Sequence, residues 1–383
     1  AADCLAAGGA HTLVARDGAV HACGRDSCGQ LGLAAGAYDV CTPAPLPPTS
    51  FGGVAVRRVA AGAHHSLAVA ADGALWAWGK ASDHQLGLAG GGVGDPTVAA
   101  PSRVNLVDAD GRPLGAAACA AGAAHSLCVD EAGGLWSWGR NAHGQLGHGT
   151  ARPSPAPRRV LPLRARPVVA CAAGAFHSLA VLREGELYAF GLGADGRLGL
   201  GHQLNASLPE KVPLRAFVRA AAAGATHSAC CDDAGALYTW GDGSKGALGH
   251  RGPRPKADKR DTGLASMPSW ESARALGEAL QYSSGPAPGS EHAPRCVASL
   301  RHVRVVAVQC NERETVVLDG DGQVYVIGQN AAGGAPAGDG AKQPSPRNKT
   351  SPKAAHKALP LAGIGRARAA TPRRPSGGGS GAA

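Results

Sequence analysis

The amino-acid sequence predicts an all-β protein, a β-propeller with about six four-stranded blades visible in the chain. One phrase recurs five times at nearly constant internal spacing, which indicates a repeat architecture. Each copy holds short runs in which apolar residues alternate, a pattern typical of strands rather than helices. Aromatic residues make up only 4% of the chain, yet they recur at one place in these runs. Together these observations indicate sheets that pack on one another through a regularly placed aromatic contact.

The repeated phrase links a His-Ser or His-Thr pair to a glycine that usually follows an aromatic residue, and then to a Leu-Gly pair. The histidine and the first glycine are equally far apart in four copies and one position closer in the first, and the Gly of Leu-Gly always follows at the same distance. The histidines are His11, His65, His125, His177 and His227, and the first glycines are Gly24, Gly79, Gly139, Gly191 and Gly241. A degraded sixth copy has Glu314 and Thr315 in the place of His-Ser.

The third copy shows what one repeat builds. Residues 116–122, 125–129 and 135–139 are predicted strands, and 157–161 is a candidate fourth strand. A proline in this fourth strand suits a sheet edge, where the missing N–H costs no ladder bond. Asp-Gly turns between strands favour hairpins because both central residues adopt positive φ, and they occur at positions 17–18, 72–73 and 321–322.

A single sheet of this kind cannot bury both of its faces, but copies stacked radially can, as in a β-propeller. A linear β-solenoid is the alternative, although its repeats are usually shorter and lack hairpins. Helical repeats are disfavoured because the apolar period is two. Five of the six tryptophans lie in the third strand. Trp78, Trp138 and Trp240 directly precede the repeated glycine, and we predict that they pack against a neighbouring blade.

The phrases AAGAHHSLAV, LWAWG and RNAHGQLG, with their copies, resemble the regulator of chromosome condensation repeat family. The resemblance extends from Asp3 to about Asn330. It implies a seven-bladed propeller, whereas six repeats are visible here. Because the chain begins with Ala inside a first strand and its only methionine is Met267, we expect a longer protein in which a seventh blade precedes this sequence.

We predict a propeller over residues 3–330, interrupted within the fifth repeat by an insertion at 251–294, and a disordered tail over 331–383. The insertion either packs on its own propeller, or is disordered, or reaches a partner. One stretch of it would form a helix with an apolar face made of Trp270, Ala273, Leu276 and Leu280. Within the tail, residues 356–361 (HKALPL) resemble 158–163 (RRVLPL) and would form the outer strand of blade six.

The net charge of +10 lies almost entirely in the tail, since residues 342–383 hold nine Lys or Arg and no Asp or Glu. The propeller itself is near neutral, so contact with polyanions is expected only through the tail, which otherwise is a solvated linker. We find no signal-peptide pattern or long apolar run in these residues and expect no membrane insertion. The 11 cysteines lack framework spacing, which favours a cytoplasmic or nuclear location, or both. We expect a monomer.

The repeated histidines do not indicate a metal site. Equivalent atoms of neighbouring blades are too far apart for one ion, whose ligands lie at about 2 Å, so we predict that each His bonds the backbone of a neighbouring strand. The repeated glycines, among them Gly79, Gly139, Gly191 and Gly241, are predicted to be structural because positive φ or close strand approach excludes a Cβ. The sequence contains no P-loop, nucleophile elbow, paired CxxC or HExxH motif, and we predict no catalytic residues, metal or cofactor.

The loops after the repeated glycine differ most between copies, reading RDSCGQ, KASDHQ, RNAHGQ, LGADGR and DGSKGA. We expect all of them on one face of the propeller, where loops held by a rigid scaffold are suited to binding. The alternative is a solvated rim. The candidate binding residues are Arg25, Lys80, Arg140, Asn141, His143, Asp195, Arg197, Asp242 and Lys245.

Two functions fit this sequence. The first is a non-catalytic scaffold that binds one or more protein partners through this face. The second, implied by the resemblance, is guanine-nucleotide exchange on a Ran-like small GTPase, although the resemblance would place a wedge in an earlier blade than the fifth. A plant ultraviolet-B photoreceptor shares the propeller and uses tryptophans before the repeated histidines. Here those positions hold Ala10, His64, Ala124, Phe176 and Thr226, so we do not expect light sensing.

Overall fold

The computed structural model describes residues 4–33, 39–88, 97–250 and 289–328 and shows six antiparallel sheets arranged as the blades of a propeller. Within these residues five sheets have four strands and the sixth has three. Strands follow one another from the centre outward in chain order, and the first strand of each of the first five blades packs on the first strand of the next blade. The predicted all-β propeller is therefore confirmed.

The strands are numbered in chain order. Blade one has β1 (Cys4–Ala7), β2 (His11–Arg16), β3 (Ala19–Gly24) and β4 (Val40–Pro45). Blade two has β5 (Val56–Ala61), β6 (His65–Ala70), β7 (Leu75–Lys80) and β8 (Thr97–Val104), and blade three has β9 (Ala116–Ala121), β10 (His125–Asp130), β11 (Leu135–Gly139) and β12 (Ser154–Arg159). Blade four has β13 (Val168–Ala173), β14 (His177–Leu182), β15 (Leu187–Gly191) and β16 (Ala206–Lys211), and blade five has β17 (Val218–Ala223), β18 (His227–Asp232), β19 (Leu237–Gly241) and β20 (Glu291–Cys296). Blade six has β21 (Val305–Cys310), β22 (Glu314–Asp319) and β23 (Val324–Gly328), and the short 3-10 helices are Pro48–Phe51, Leu161–Leu163, Ala194–Gly196 and Ala298–Leu300.

Three predicted segments lie outside the described residues: the helix of the insertion, the disordered tail at 331–383 and the outer strand at 356–361 within that tail. The predicted end of the insertion at residue 294 is wrong, because residues 291–294 belong to the fourth strand of blade five. The described residues contain no helix with the length and hydrophobicity needed to span a bilayer.

The constant spacing of the repeat is the register of one hairpin. His125 lies directly opposite Gly139, and the equivalent pairs recur in blades one, two, four and five. The first copy is one residue shorter because its turn has two residues, with φ of 51° at Asp17 and 84° at Gly18, as the Asp-Gly rule predicts. That rule is wrong for the pairs at 72–73 and 321–322, where the turns have three residues and positive φ occurs only at the glycine.

The hydrophobic core lies between the blades. Leu67 and Leu75 of blade two pack in one cluster with Trp136 and Trp138 of blade three, and similar clusters fill other junctions. The second strand of blades two to five is buried along its whole length because it lies between two neighbouring sheets. The tryptophans that precede the repeated glycine, Trp78, Trp138 and Trp240, are fully buried, which confirms the predicted aromatic packing.

An aspartate at the end of the second strand fixes the hairpin turn in three blades. In blade three, Asp130 accepts hydrogen bonds from the backbone N–H groups of Ala132 and Gly134 and from Nε1 of Trp136, at 2.7–2.9 Å. Asp232 and Asp319 make the corresponding bonds to backbone N–H groups and to the hydroxyl of a tyrosine. The sequence contained the signal, an Asp six residues before the first aromatic residue of the third strand, but it was not recognised.

We expect Asp130→Ala to lower the free energy of unfolding by about 1–3 kcal/mol, because it leaves the buried Nε1 of Trp136 without an acceptor. Urea unfolding followed by tryptophan fluorescence measures this. Asp130→Asn is the control, since its carbonyl oxygen still accepts a hydrogen bond, and we expect a smaller loss. Equal losses for the two variants would contradict the assignment.

Candidate functional site

The propeller has two unlike ends. At the turn face lie the hairpin turns and the connections from each fourth strand to the next blade. At the opposite end, the loop face, lie the variable loops that follow the third strands, together with the short connections that precede the repeated histidines. The described parts of the variable loops span residues 25–33, 81–88, 140–153, 192–205 and 242–250. All nine candidate binding residues lie in or next to these loops.

The base of the loop face is held by a set of hydrogen bonds between neighbouring blades, which we call the interblade relay. At the junction of blades two and three, His65 Nε2 is 2.9 Å from the hydroxyl of Ser126. That hydroxyl donates to the backbone carbonyl of Gln85 in the loop of blade two, at 2.7 Å. Nε1 of Trp138 donates to the same carbonyl at 2.9 Å. The loop of one blade is thus tied to two side chains of the next.

The relay repeats around the described blades. Each His pairs with a hydroxyl of the following blade at 2.8–3.0 Å, in the pairs His11–Ser66, His65–Ser126, His125–Ser178, His177–Ser228 and His227–Thr315. Each of these hydroxyls donates in turn to a loop carbonyl of the preceding blade. The prediction that each His bonds a neighbouring backbone misses this partner, which is the side-chain hydroxyl of the repeated Ser or Thr in the next blade.

The relay also fixes the protonation of the histidines. Because each hydroxyl uses its proton on a carbonyl, the ring must donate from Nε2, and Nδ1 is buried without a partner. A second proton on Nδ1 would have no acceptor. Burial accordingly lowers the pKa of His65 to about 3 and those of His11, His125 and His227 to about 4, and it places the pKa of His177 well below its usual value. These histidines are neutral structural donors at pH 7.

Two kinds of repeated glycine allow this close packing. Gly139 has φ of 101°, and a Cβ there would lie 2.7 Å from the carbonyl oxygen of Ala124, so only glycine fits. Gly87, of the Leu-Gly pair, lies against the indole of Trp138, and a Cβ would come within 2.7 Å of Nε1. The equivalent first glycines Gly79, Gly191 and Gly241 also have positive φ, between 103° and 113°.

Asn141, predicted as a binding residue, is buried instead. Its side-chain oxygen accepts from the N–H of Leu146, and its amide donates to the carbonyls of Thr150 and Arg152, at 2.7–2.9 Å. These bonds hold the loop of blade three together, much as Asp26 accepts from the N–H at the same place in blade one. With 1% of its surface exposed, Asn141 cannot contact a partner.

Arg197 is also buried, although it was predicted to bind. Its guanidinium donates to the carbonyls of Ala194 and Ala225 and to Asp195, all at 2.7–2.9 Å. Burial lowers the pKa of this arginine, while the neighbouring Asp195 raises it. Because Ala225 belongs to blade five, Arg197 joins two blades and its charge is used inside the protein.

The remaining candidates do reach the surface of the loop face. Arg25, Arg140 and Lys245 are exposed. The other four are half-buried: Lys80, His143, Asp195 and Asp242. The ammonium group of Lys80 lies 4.0 Å from the carboxylate of Asp83, a distance at which a surface ion pair contributes little to folding stability. Of the nine candidates, the structure therefore leaves seven at this end of the propeller: three exposed cations, the half-buried Lys80, a neutral ring and two carboxylates.

Sequence reasoning missed an aromatic pair at this face. The ring of His143 lies edge-on to Phe176, with centroids 5.5 Å apart and planes at 76°. Burial, with the nearby charges of Arg140 and Arg197, lowers the pKa of His143, so the ring is uncharged at pH 7 and available for apolar contact. No sequence signal joined these residues, because they lie on different blades.

Two further features of the loop face were not predicted. His84 is exposed and has φ of 62° at a place where the other four loops have glycine, so the chain holds a side chain there at a conformational cost. The sequence shows this exchange, because the loop of blade two has His-Gln where the loops of blades one and three have Gly-Gln. Leu204, in the loop of blade four, is 66% exposed and adds an apolar group to the rim. Among the residues that the structure describes, no His, Cys, Asp or Glu group is arranged to hold a metal ion.

Comparison with known proteins identifies relatives along much of the chain. A family model described as the RCC1-like domain matches residues 2–269. The probable E3 ubiquitin-protein ligase HERC3 of Homo sapiens is 35% identical over 210 residues, which cover 54% of this chain and 19% of that protein. The ultraviolet-B receptor UVR8 of Arabidopsis thaliana is 33% identical over 210 residues, covering 54% of this chain and 45% of the receptor. The matches thus span less than half the length of these relatives.

Solved structures with higher coverage share the fold. Human WBSCR16 superposes with a TM-score of 0.66 at 21% identity, covering 85% of this chain and 76% of that chain. The crystal structure of Prp20p of Saccharomyces cerevisiae, a protein described with its binding properties to Gsp1p and histones, gives a TM-score of 0.65 at 21% identity, covering 85% of this chain and 71% of that chain.

Proposed function

This chain belongs to the RCC1-like domain family, and from that premise we propose that it is a non-catalytic protein-interaction scaffold that binds its partner through the loop face. The observation that carries the proposal is the contrast between the two layers of that face. Its base is a continuous set of buried hydrogen bonds between blades, and its surface carries loops that differ in every copy. A rigid base with variable loops is the arrangement that binding surfaces commonly use.

The surface of the loop face has the composition of a protein-binding site. Arg25, Arg140 and Lys245 are exposed, and arginine is enriched where proteins bind one another. The half-buried edge-on pair of His143 and Phe176, with the charge of Arg140 nearby, offers an uncharged aromatic anchor. Anchors of this kind surrounded by polar side chains carry most of the energy in known interfaces. The chemistry fits a partner with acidic groups around an apolar contact.

The test is a charge-reversal triple variant at this face, Arg25→Glu, Arg140→Glu and Lys245→Glu. Proximity labelling with the full chain identifies the partner, and the affinity of the purified partner is then measured for each variant. We expect at least a tenfold loss of affinity with an unchanged Tm, because exposed rim charges contribute to association rather than to folding.

The matched control reverses three exposed arginines of the turn face, Arg164→Glu, Arg183→Glu and Arg301→Glu. It changes the net charge by the same amount on the opposite end of the molecule, and we expect the affinity to stay within about twofold of the unaltered chain. Equal losses for the two triple variants would show a general charge effect and would contradict a site on the loop face.

The second candidate is guanine-nucleotide exchange on a Ran-like small GTPase. It is favoured by the likeness in fold to Prp20p, for which binding to Gsp1p is described. Exchange requires no bond chemistry in the exchanger, so the loop face could perform it without catalytic side chains. Release of labelled GDP from such a GTPase decides between the two. Faster release with this chain, abolished in the loop-face triple variant, favours exchange, and unchanged release favours the scaffold.

The proposal also covers the oligomeric state of the protein, its location in the cell and the reactivity of its cysteines. The chain acts as a monomer in the cytoplasm or nucleus, without inserting into a membrane. Contact with polyanions is confined to the basic residues of 342–383. The 11 cysteines are all unpaired in the structure, and burial raises the pKa of Cys171 and Cys310 to about 12, so these thiols stay protonated and unreactive.

A further inference from the structure

A cavity runs along the axis of the propeller, between the first strands of all six blades. Its volume is about 580 Å³, within the range of small-molecule binding sites in proteins. It extends from the turn face, at Arg57 and Val169, to the loop face, at Ala61 and Ala173. Alanines form much of its wall, and their small side chains leave the axis of the propeller open.

The wall of this axial cavity also presents backbone groups that can bind a ligand. Within the described part of the chain, β9 is the edge strand of its sheet and pairs only with β10. Because Gly122 donates its N–H to the carbonyl of His125, alternate residues of β9 bond β10 and the others point away from it. Cys119 and Ala121 are of the second kind, and both line the cavity. A ligand that fills this space must therefore form hydrogen bonds with the wall.

Charged side chains line only the turn-face end of the axial cavity. They are three arginines and two carboxylates, an excess of one positive charge: Arg57, Arg58, Arg183, Asp130 and Glu131. Both carboxylates already have partners. Asp130 accepts three hydrogen bonds at its own hairpin turn, and Glu131 lies 3.3 Å from Nη2 of Arg57. The excess charge therefore belongs to the arginines.

Arg58 brings an unpaired charge into the cavity. It is half-buried, and among the residues that the structure describes no group accepts a hydrogen bond from its guanidinium. The thiols of Cys4 and Cys119 do not offset this charge, because burial raises the pKa of both and keeps them protonated. Arg57 adds a further donor, since its Nε is buried without an acceptor. Donors of this kind are stabilised by an anion that accepts their hydrogen bonds.

The repeat itself shows that the fold does not require an arginine at this place. Arg58 lies directly opposite Val69 in the register of blade two. The equivalent position is Cys4 in blade one and alanine in the four blades that follow, as Ala118, Ala170, Ala220 and Ala307. A single cation thus replaces a small neutral residue on the wall of the cavity.

We propose that the turn-face end of the axial cavity binds a small hydrophilic oxyanion, whose carboxylate or phosphate group is held by Arg58 and Arg57. Guanidinium groups bind both of these anions through paired N–H donors. The rest of the molecule would hydrogen-bond the backbone groups of the first strands. An apolar anion is disfavoured because it would leave those groups unpaired. This site uses none of the loop-face residues and does not depend on the partner proposed for them.

Isothermal titration calorimetry of the full chain with succinate, citrate, inorganic phosphate and octanoate tests the class of ligand. We expect at least one of the first three to bind at millimolar concentration or below, and octanoate to bind more weakly. Binding of succinate or citrate identifies a carboxylate as the bound group, and binding of phosphate alone identifies a phosphate. Tighter binding of octanoate, or no binding of any of the four, would overturn the proposal.

Substitution of Arg58 tests where the anion binds. We expect Arg58→Gln to weaken the best of these probes about tenfold or more, since it removes the charged donor. Arg58→Lys should recover part of the affinity, because the ammonium keeps the charge but not the paired donors. Arg219→Gln is the matched control: this arginine lies near the start of β17, exposed on the turn face outside the cavity wall, and the affinity should stay within about twofold. Unchanged binding by Arg58→Gln would contradict the site.

Hydrogen–deuterium exchange of the unaltered chain gives an independent measurement that no loss of folding can affect. Saturation with the same probe should slow exchange in the first strands, at 56–61 and 116–121, because their edge N–H groups gain an acceptor. The variable loops of the loop face should exchange as before. Protection confined to those loops, or no protection of the first strands, would show that the anion binds elsewhere.

Discussion

Lowering the pH from 7 to 5 is expected to destabilise this protein strongly, through the five buried histidines of the interblade relay. Burial holds the pKa of His11, His125 and His227 near 4 and that of His65 near 3, below the value of about 6.5 for an unfolded chain. Between those pH values the unfolded chain binds more protons than the folded one. Stability is therefore complete above pH 6.5 and falls as the pH decreases toward 4.

The size of the acid effect follows from the number of protons taken up. Each histidine contributes a slope of up to about 1.4 kcal/mol per pH unit in this range. Five together can remove up to about 7 kcal/mol for each pH unit, which is comparable to the whole unfolding free energy of a typical domain. Urea unfolding at pH 7, 6 and 5 measures the slope. His125→Gln should reduce it by about one proton, although that variant is less stable at pH 7. His84→Gln is the control, because His84 is exposed on the loop face, and it should leave the slope unchanged.

Replacing Trp138 by alanine is expected to cost about 3–5 kcal/mol of unfolding free energy. The indole is fully buried between blades two and three, and Nε1 donates to the loop carbonyl of Gln85 at 2.9 Å. The substitution removes the ring that fills this junction and leaves a cavity. It also removes one of the two donors that hold the carbonyl. Urea unfolding measured by circular dichroism gives the loss without depending on the removed fluorophore.

The fourth copy of the repeat supplies the control for this substitution. Phe190 stands at the place of Trp138, is fully buried and makes no bond to the loop carbonyl. Trp138→Phe therefore keeps most of the packing and loses the hydrogen bond, and we expect a cost of about 1–2 kcal/mol. A loss below about 1 kcal/mol for Trp138→Ala would show that the aromatic contact between blades is not what holds the ring of blades together.

Much of this fold was predictable because the repeat expresses one packing rule five times. The spacing of His125 and Gly139 is the length of a hairpin, and the position of Trp138 is the contact with the preceding blade. Even the relay was present in the sequence. The two residues of a His-Ser pair take part in different bonds between blades. The His donates a hydrogen bond to a hydroxyl of the next blade, and the Ser hydroxyl accepts one from the His of the preceding blade.

The candidate site was predicted less well, because the polarity of a loop residue does not determine its exposure. Asn141 and Arg197 looked like the other polar loop residues, but both satisfy backbone carbonyls inside the loops. Arg197 replaces a glutamine found in three other loops, and that exchange could have indicated a buried role. The contact between His143 and Phe176 joins two blades, and no local pattern in the sequence encodes it.

Hydrogen–deuterium exchange of the full chain, with and without the partner found by proximity labelling, tests the role of the loop face most directly. We predict slower exchange on binding in the loops at 25–31, 140–146 and 242–247, and no change in the hairpin turns. The buried relay strands should exchange slowly in both states. Protection confined to the hairpin turns or to the outer strands, with the loops unchanged, would contradict the assignment of binding to the loop face.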